Sequence, residues 1–498
     1  MGRDRVLVDR IYHWAAEQPH KTALIADGKA MSYREFACAI DATLEMFAAQ
    51  RLPATGTVFV PGIDRVQSWL YILALRQLGL SPLTPMPWIP LSDLEVGQPD
   101  VVLTFSRLEV LKARVKQLLG SPYVARVLSC QAPSPDCRPP MKPRTGHRFG
   151  DMLLLSSGTT GRYKVLVLPG ADIAQTHESI ASTYRLTERT VFNFHGVGPW
   201  TGMGGRVLPS VWACGGTVIF DTGKDCFSRI FQHGTNTTFF VPTDVQKVVN
   251  SPPPLDACLI FVGGGFLSER NADTLRHLPA CTTVFGYGAT EASGLLMQKE
   301  LRAGQDDTEH WFEPLSGRRV EVVDEQGLPC ADGVEGALRL HTRRGDCVGY
   351  LGDRLNTARV YADGYIYPGD LATRSDDGRI RVNGRSADVV ILRSQKISAT
   401  VIEAAVRAGL GVEVACAFSG LGEHGEEELV IALELPLLPA AAVLKQLEIQ
   451  LPPFESVRWA FLPAFPRTDT GLSKIRRNAL RALLYPTRDG AVVKSQVN

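Results

Sequence analysis

The chain has 498 residues, with 53 Lys+Arg against 52 Asp+Glu and a formal net charge of +1. A content of 45% hydrophobic and 21% charged residues supports sizeable cores and excludes a disordered chain. The balanced charge removes any global electrostatic argument for nucleic acid or for a membrane surface. At about 150 residues per domain, two or three domains are expected. The start, MGRDRVLVDRIYHWAAEQP, lacks the apolar run and cleavage site of a signal peptide, and Val6 stands where myristoylation needs Ser or Thr. No run of about 18 apolar residues occurs, so no membrane span is expected. The 10 cysteines form no C-x-x-C pair and read as free thiols of a cytoplasmic protein.

In chain order, Ser32-Tyr33-Arg34-Glu35 has capping-box spacing ahead of the helical stretch FACAIDATLEMFAAQ. TVFVPG, SWLYILALRQLGL and SPLTPMP then read as strand, helix and the entry to the next strand. That alternation predicts α/β layers with a mainly parallel sheet. Residues 131–145, QAPSPDCRPPMKPRT, are proline-rich and polar, hence a surface connection. After residue 330 the short segments EGALRLHT, YIYPGDLATR and GRIRVNGR alternate with Gly and Asp-Gly turns, which predicts a β-rich subdomain. From about residue 386 a compact α+β unit is expected: VVILR, a helix at ATVIEAAVRAGL, VEVACAFSG, ELVIALEL and a helix at AAAVLKQLEIQL. The boundary is placed near Gly384 to Asp388, giving a large N-terminal domain over 1–385 and a small mobile domain over 386–498.

The strongest local chemical signal is Asp151-MLLLSSGTTGRYK-Val165. An apolar strand runs into Ser156, Ser157, Gly158, Thr159, Thr160, Gly161 and finally Lys164. Glycines and small hydroxylated residues let backbone N–H groups approach an anion, and the lysine adds charge. The spacing is not G-x-x-x-x-G-K-[ST], which disfavours a P-loop NTPase. Such a loop is, on its own, as readily a plain turn as a phosphate cradle.

The segment resembles the signature loop of the acyl-adenylate-forming (AMP-binding) superfamily, [ST]-S-G-T-T-G-x-P-K-G, with Tyr163 in place of proline and Val165 in place of the last glycine. Further segments match in the family's order. Phe285-Gly-Tyr-Gly-Ala-Thr-Glu291 is similar to G-Y-G-x-T-E. The resemblance implies that Tyr287, beside Gly288, stacks on adenine, that Thr290 touches the α-phosphate and that Glu291 helps to hold Mg²⁺, with Thr160 as a second metal candidate. Val262-Gly-Gly264-Gly265-Phe266 resembles the G-G-A-P strand end that lines the adenine and acyl pockets. Asp363-Gly-Tyr-Ile-Tyr-Pro-Gly-Asp370-Leu is similar to D-G-W-x-x-T-G-D-L, with Pro368 where threonine is usual. Asp370 is then the ribose ligand, and Arg385 of the following Gly-Arg pair contacts nucleotide. Ala387 falls at the usual hinge position, where relatives carry Asp or Lys. Pro466-Arg-Thr-Asp-Thr-Gly-Leu-Ser-Lys474 resembles P-[RK]-T-x-x-G-K, so Lys474 is the catalytic lysine that would bridge substrate carboxylate and α-phosphate.

The acid-facing motif is Phe192-Asn-Phe-His195-Gly-Val-Gly-Pro-Trp200. Adenylation domains for α-amino acids carry Asp at the position of His195, where it pairs the substrate ammonium. An unpaired buried ammonium is costly, which disfavours an α-amino acid. His195 is the pocket candidate among the catalytic set, forming a wall or gate with Trp200 rather than moving a proton. Gly202, Gly204 and Gly205, with Gly263 to Gly265, are expected to leave room for a bulky or cyclic acid.

The resemblance implies an ATP- and Mg²⁺-dependent carboxylic acid ligase that forms an acyl-adenylate and releases pyrophosphate. The acyl group then passes to a thiol, either coenzyme A or the phosphopantetheine of a separate carrier protein. An amine acceptor, giving an amide, stays open because Ser394 replaces the glycine usual beside the pantetheine channel. An inactive nucleotide-binding relative is the third reading, opposed by the presence together of Lys164, Glu291, Asp370, Arg385 and Lys474.

Overall fold

A computed structural model describes residues 7–50, 52–60, 62, 64–85, 94–95, 101–105, 126–130, 149–157, 163–170, 173–195, 197–221, 225–252, 254, 256–265, 267, 269–292, 294–303, 310–385, 389–392, 395–421, 427–435, 444, 457–467 and 475–484. The proline-rich 131–145 segment, most of AAAVLKQLEIQL and the proposed boundary at 386–388 lie outside these residues.

The capping box forms as its spacing predicts. Ser32 accepts from the Glu35 backbone and Glu35 reaches back to the Ser32 N–H at 2.8 Å, starting the helix Tyr33–Ala48. Its apolar stripe buries Tyr33, Phe36, Ile40, Leu44 and Phe47. Thr57–Phe59, Arg65–Gln77 and Ser81–Leu83 follow as strand, helix and strand.

Nine strands form the main sheet, and six of them are mutually parallel. The parallel strands run, in spatial order, Cys281–Ala289, Cys258–Gly263, Thr237–Phe240, Val191–Asn193, Thr217–Phe220 and Thr22–Ala26. Antiparallel strands border both ends. A second sheet of four parallel strands contains Thr57–Phe59 and Ser81–Leu83. Helices cover the apolar faces. Trp69 and Trp212, both fully buried, meet edge-on at 5.4 Å, and the Trp212 indole donates to the Ala23 carbonyl at 2.9 Å. Each such side chain removes enough apolar surface to contribute about 2 to 3 kcal/mol.

The β-rich region is a six-stranded antiparallel sheet. YIYPGDLATR is two strands, Tyr365–Ile366 and Asp370–Arg374, because Pro368 and the left-handed Gly369 interrupt the ladder between them. Beyond it, the helix Ala399–Leu410 matches ATVIEAAVRAGL residue for residue. It packs on the strand Ala415–Leu421, which joins Glu427–Glu434 and Val457–Leu462 in a three-stranded sheet. The fold is therefore α/β, as the alternation predicts. Among the described residues no helix is long and apolar enough to cross a membrane.

Candidate active site

Open parallel sheets bind ligands beyond the carboxyl ends of their strands, where loops converge and backbone groups are unpaired. Four adjacent strands contribute here. His195 follows Val191–Asn193, Asp244 follows Thr237–Phe240, Gly264 follows Cys258–Gly263, and Thr290 with Glu291 follows Cys281–Ala289. His195, Asp244, Gly264 and Thr290 all line one cavity of about 360 Å³.

The nucleotide candidates meet around Tyr287, whose chain neighbours Gly286 and Gly288 line the cavity. Asp370 and Arg385 are directly opposed partners on neighbouring strands, so the guanidinium falls on the carboxylate, Nε to Oδ1 at 2.9 Å. Arg385 also donates from Nη1 to the Pro368 carbonyl at 2.6 Å. The Tyr287 hydroxyl donates to Asp370 Oδ2. Burial, then the Asp370 charge, pushes the Tyr287 phenol well above its ordinary value, so it stays a donor. A register shift in the hairpin beside Tyr287 and Gly288 re-aims the strand end there.

The metal candidate is set by a turn. Glu291 lies in the 3₁₀ turn Thr290–Ala292, half-buried. Its Oε1 accepts from the Tyr350 hydroxyl at 2.8 Å, and its backbone carbonyl accepts from Tyr361 at 3.1 Å. The Lys164 ammonium lies 5.2 Å from the Tyr350 ring centroid. Lys164 stands opposite Ser156 in the antiparallel ladder. Tyr163, where relatives have proline, extends that ladder opposite Ser157, and its ring is buried with Val165 and Trp200. Arg318, fully buried, grips Asp346 with both Nη atoms and donates to the Ala292 carbonyl, fixing the turn from behind. Mg²⁺ takes one or two carboxylates with water and substrate phosphates completing its shell. Glu291, with one oxygen outside the tyrosine bond, fits that role; among the described residues there is no cluster of three or more metal-ligating side chains.

Gly158, Thr159, Thr160, Gly161, Ala387, Ser394 and Lys474 lie outside the described residues. Of the glycines expected to open the acid pocket, Gly202, Gly263 and Gly264 line the cavity, and Gly288 joins them. Gly265 is exposed beside Gly264 and is not among the lining residues. Gly204 and Gly205 serve packing instead: a Cβ would sit 2.0 Å from the Gly198 carbonyl oxygen or 2.3 Å from Leu154. Trp200 does not line the cavity either; it is buried against Leu83, Leu153 and Leu155, under the Arg65 guanidinium at 4.3 Å. His195 is buried at the cavity and edge-on to Phe227 at 4.6 Å. Burial pushes its imidazole down to about 4, so it is neutral at pH 7.

Sequence reasoning missed Tyr350, Tyr361, Asp244 and Lys247. Tyr350 follows a glycine and pairs with the Lys164 strand, a link no local pattern discloses.

The profile of the family described as AMP-binding enzyme matches residues 98–350, just over half of the chain. Pseudomonine synthase PmsE of Pseudomonas entomophila is 25% identical, with 97% of this chain and 84% of that protein covered. The vibriobactin-specific 2,3-dihydroxybenzoate-AMP ligase of Vibrio cholerae is 24% identical over 96% of this chain and 94% of that protein. Among solved structures, the anthranilate CoA ligase AuaEII in complex with anthranoyl-AMP superposes with a TM-score of 0.81 at 16% identity, covering 97% and 98% of the two chains. The ordered motifs, the tyrosine-braced carboxylates and the matched fold lead to one assignment: the chain belongs to the AMP-binding enzyme family and is an AMP-forming carboxylic acid ligase.

Proposed function

We propose that the protein joins a non-amino carboxylic acid to the α-phosphate of ATP, releases pyrophosphate, and passes the acyl group to a thiol. The observation that carries this reading is the convergence of Asp370, Tyr287 and Arg385 beside Thr290 and Glu291, from segments 83 residues apart in the chain. An ionised carboxylate has about four acceptor positions, so Asp370 can keep its tyrosine and arginine and still take ribose hydroxyls. The Tyr287 ring offers a face to adenine. Thr290 reaches the α-phosphate, and Glu291, with Thr160, holds Mg²⁺, which supplies charge neutralisation on the phosphates when bound. The loop from Ser156 to Lys164 cradles the β- and γ-phosphates. Lys474 brings positive charge to the pentavalent phosphorus, carried by a small domain over 386–498 that moves against the 1–385 core.

The cavity supports a non-amino acid. The carboxylate that lines it, Asp244, is already paired with Lys247 at 2.8 Å, and His195 is neutral, so no unpaired anion waits for an ammonium. Coenzyme A or a separate carrier protein is the acceptor, in line with the acyl-carrier-protein and CoA ligases among the relatives. Eight cysteines among the described residues are free, which suits a cytoplasmic enzyme.

The test is incubation with MgATP, a panel of carboxylic acids and either coenzyme A or amines, following pyrophosphate and product mass. Acid-dependent pyrophosphate with a thioester product is expected. Amide without thioester overturns the thiol acceptor, and absence of acid-dependent release overturns adenylation.

A further inference from the structure

The acid cavity is not uniformly apolar. Phe227, Phe239, Phe261 and Tyr184 give it aromatic walls, and the glycines at 263, 264, 286 and 288 leave one side flat. His195, Thr201 and Thr290 add polar groups, and the charged side chains of the lining are Asp244 and Lys247.

This corner is built by local geometry. The turn Pro242–Asp244 leads directly into the helix Val245–Val249, so Asp244 and Lys247 lie one turn apart and pair at 2.8 Å. The Asp244 side chain is only 16% exposed, and burial raises its carboxyl above the ordinary range despite the lysine. The Lys247 side chain is 59% exposed, and its ammonium lies 4.9 Å from the Phe227 ring centroid. The lysine takes one oxygen of the carboxylate, and the second oxygen can accept from a donor that enters the cavity.

Topology fixes where the corner stands relative to the reacting end. The Asp244 strand is two places from the Thr290 strand, with Cys258–Gly263 between them. At about 4.8 Å between neighbouring strands, the two turns face each other across roughly 10 Å. A single flat ring with its carboxylate at Thr290 spans that gap and sets its remote substituent against Asp244 and Lys247. A hydroxyl satisfies both partners: it donates to the carboxylate and accepts from the ammonium. An ether offers no donor, and a second carboxylate would be repelled by Asp244.

We propose that Asp244 and Lys247 form a specificity subsite for the hydroxyl group of a ring-bearing carboxylic acid, on the side of the ring remote from the carboxylate. The proposal rests on the adenylating function above and names the class of its substrate.

The test measures acid-dependent pyrophosphate release by the full-length enzyme with benzoate, 3- and 4-hydroxybenzoate and the matching methoxybenzoates. At least one hydroxy acid is expected to exceed its methyl ether and benzoate in kcat/KM by about 10- to 100-fold. In Asp244→Asn and Lys247→Met that ratio should collapse toward one, mainly through KM. Equal kcat/KM for hydroxy acid, ether and parent, or a ratio that neither substitution changes, overturns the subsite. If no acid, aliphatic controls included, releases pyrophosphate, the adenylation reading fails instead. Calorimetric binding of the same acids to wild type and Asp244→Asn then decides the subsite by itself: a hydroxyl preference lost in the variant supports it, and equal binding overturns it.

Discussion

The Tyr350 hydroxyl donates to Glu291 Oε1 at 2.8 Å, while the Lys164 ammonium lies 5.2 Å from the centre of the same ring. One side chain thus ties the strand that carries Lys164 to Glu291, the metal candidate. Burial, then the Glu291 charge, pushes the Tyr350 phenol upward, so it remains a donor throughout the working range.

Tyr350→Phe keeps the ring beside Lys164 and removes only the bond to Glu291. A hydrogen bond to a charged group contributes about 1.5 to 3 kcal/mol, so activity should fall roughly 10- to 100-fold. Magnesium titration of pyrophosphate release is the measurement, and a higher Mg²⁺ requirement is the expected signature. An unchanged Mg²⁺ dependence would separate Tyr350 from the metal site.

Asp370→Asn keeps the shape of the proposed ribose ligand but leaves Arg385 facing a neutral amide. KM for ATP should rise by about an order of magnitude or more, with the acid KM little changed. Lys474→Ala should instead lower kcat by about 10²- to 10³-fold with a modest change in ATP binding, because its charge matters where charge builds. Steady-state kinetics in both substrates distinguishes the two patterns, and the reverse assignment of effects would refute the roles given to them.

Asp346 and Arg318 form an ion pair in which both side chains are at most 3% exposed. Removing one partner strands a buried charge, so Asp346→Ala should destabilise the protein by about 3 to 5 kcal/mol in urea unfolding. Replacing both residues by apolar ones of similar volume should recover much of that loss. Because Arg318 also holds the Ala292 carbonyl, the double variant should regain stability more fully than activity.

Acid stability follows from two neutral histidines. Burial lowers His195 to about 4, and burial with the Arg76 charge lowers His177 to about 3, against 6.5 for an exposed imidazole. The unfolded chain therefore binds more protons between those values. Stability contributed by these groups is present above pH 6.5 and is lost as pH falls through the window toward 4 and 3. At 1.36 kcal/mol per pH unit, His195 removes about 3 kcal/mol and His177 about 5 kcal/mol across their windows. Denaturant unfolding from pH 7.5 to 4.5 should show this decline, and His195→Asn should flatten it. A slope identical in the variant would mean that His195 is solvated.

Several features were legible because they are local. The Ser32 capping box needs only four consecutive residues, and the helix Ala399–Leu410 only its own apolar period. The phosphate-loop strand was readable from MLLL running into small hydroxylated residues. The polar corner at Asp244 was not: on a linear reading Asp244-Val-Gln-Lys247 is an ordinary surface ion pair, and only the order of the strands turns it toward the cavity. Trp200 failed in the opposite sense. Its place in the acid-facing motif suggested a pocket wall, but packing against Leu83 and Leu153 won the ring for the core. Gly204 and Gly205 likewise answer to close backbone contacts rather than to substrate volume.

The chain alone therefore determined which chemical groups are available and in what order: a donor-rich loop, an aromatic near a Thr-Glu pair, a carboxylate followed by an arginine, and a lysine near the C-terminal end of the sequence. It determined the α/β fold class because strand and helix periods are written into successive side chains. Only the tertiary structure decided which groups meet. Asp370 reaches Tyr287 across 83 residues, and Tyr350 reaches Glu291 across 59. Those contacts arise from strand register and sheet order, which many distant residues set jointly through burial, so no short stretch of sequence carries them.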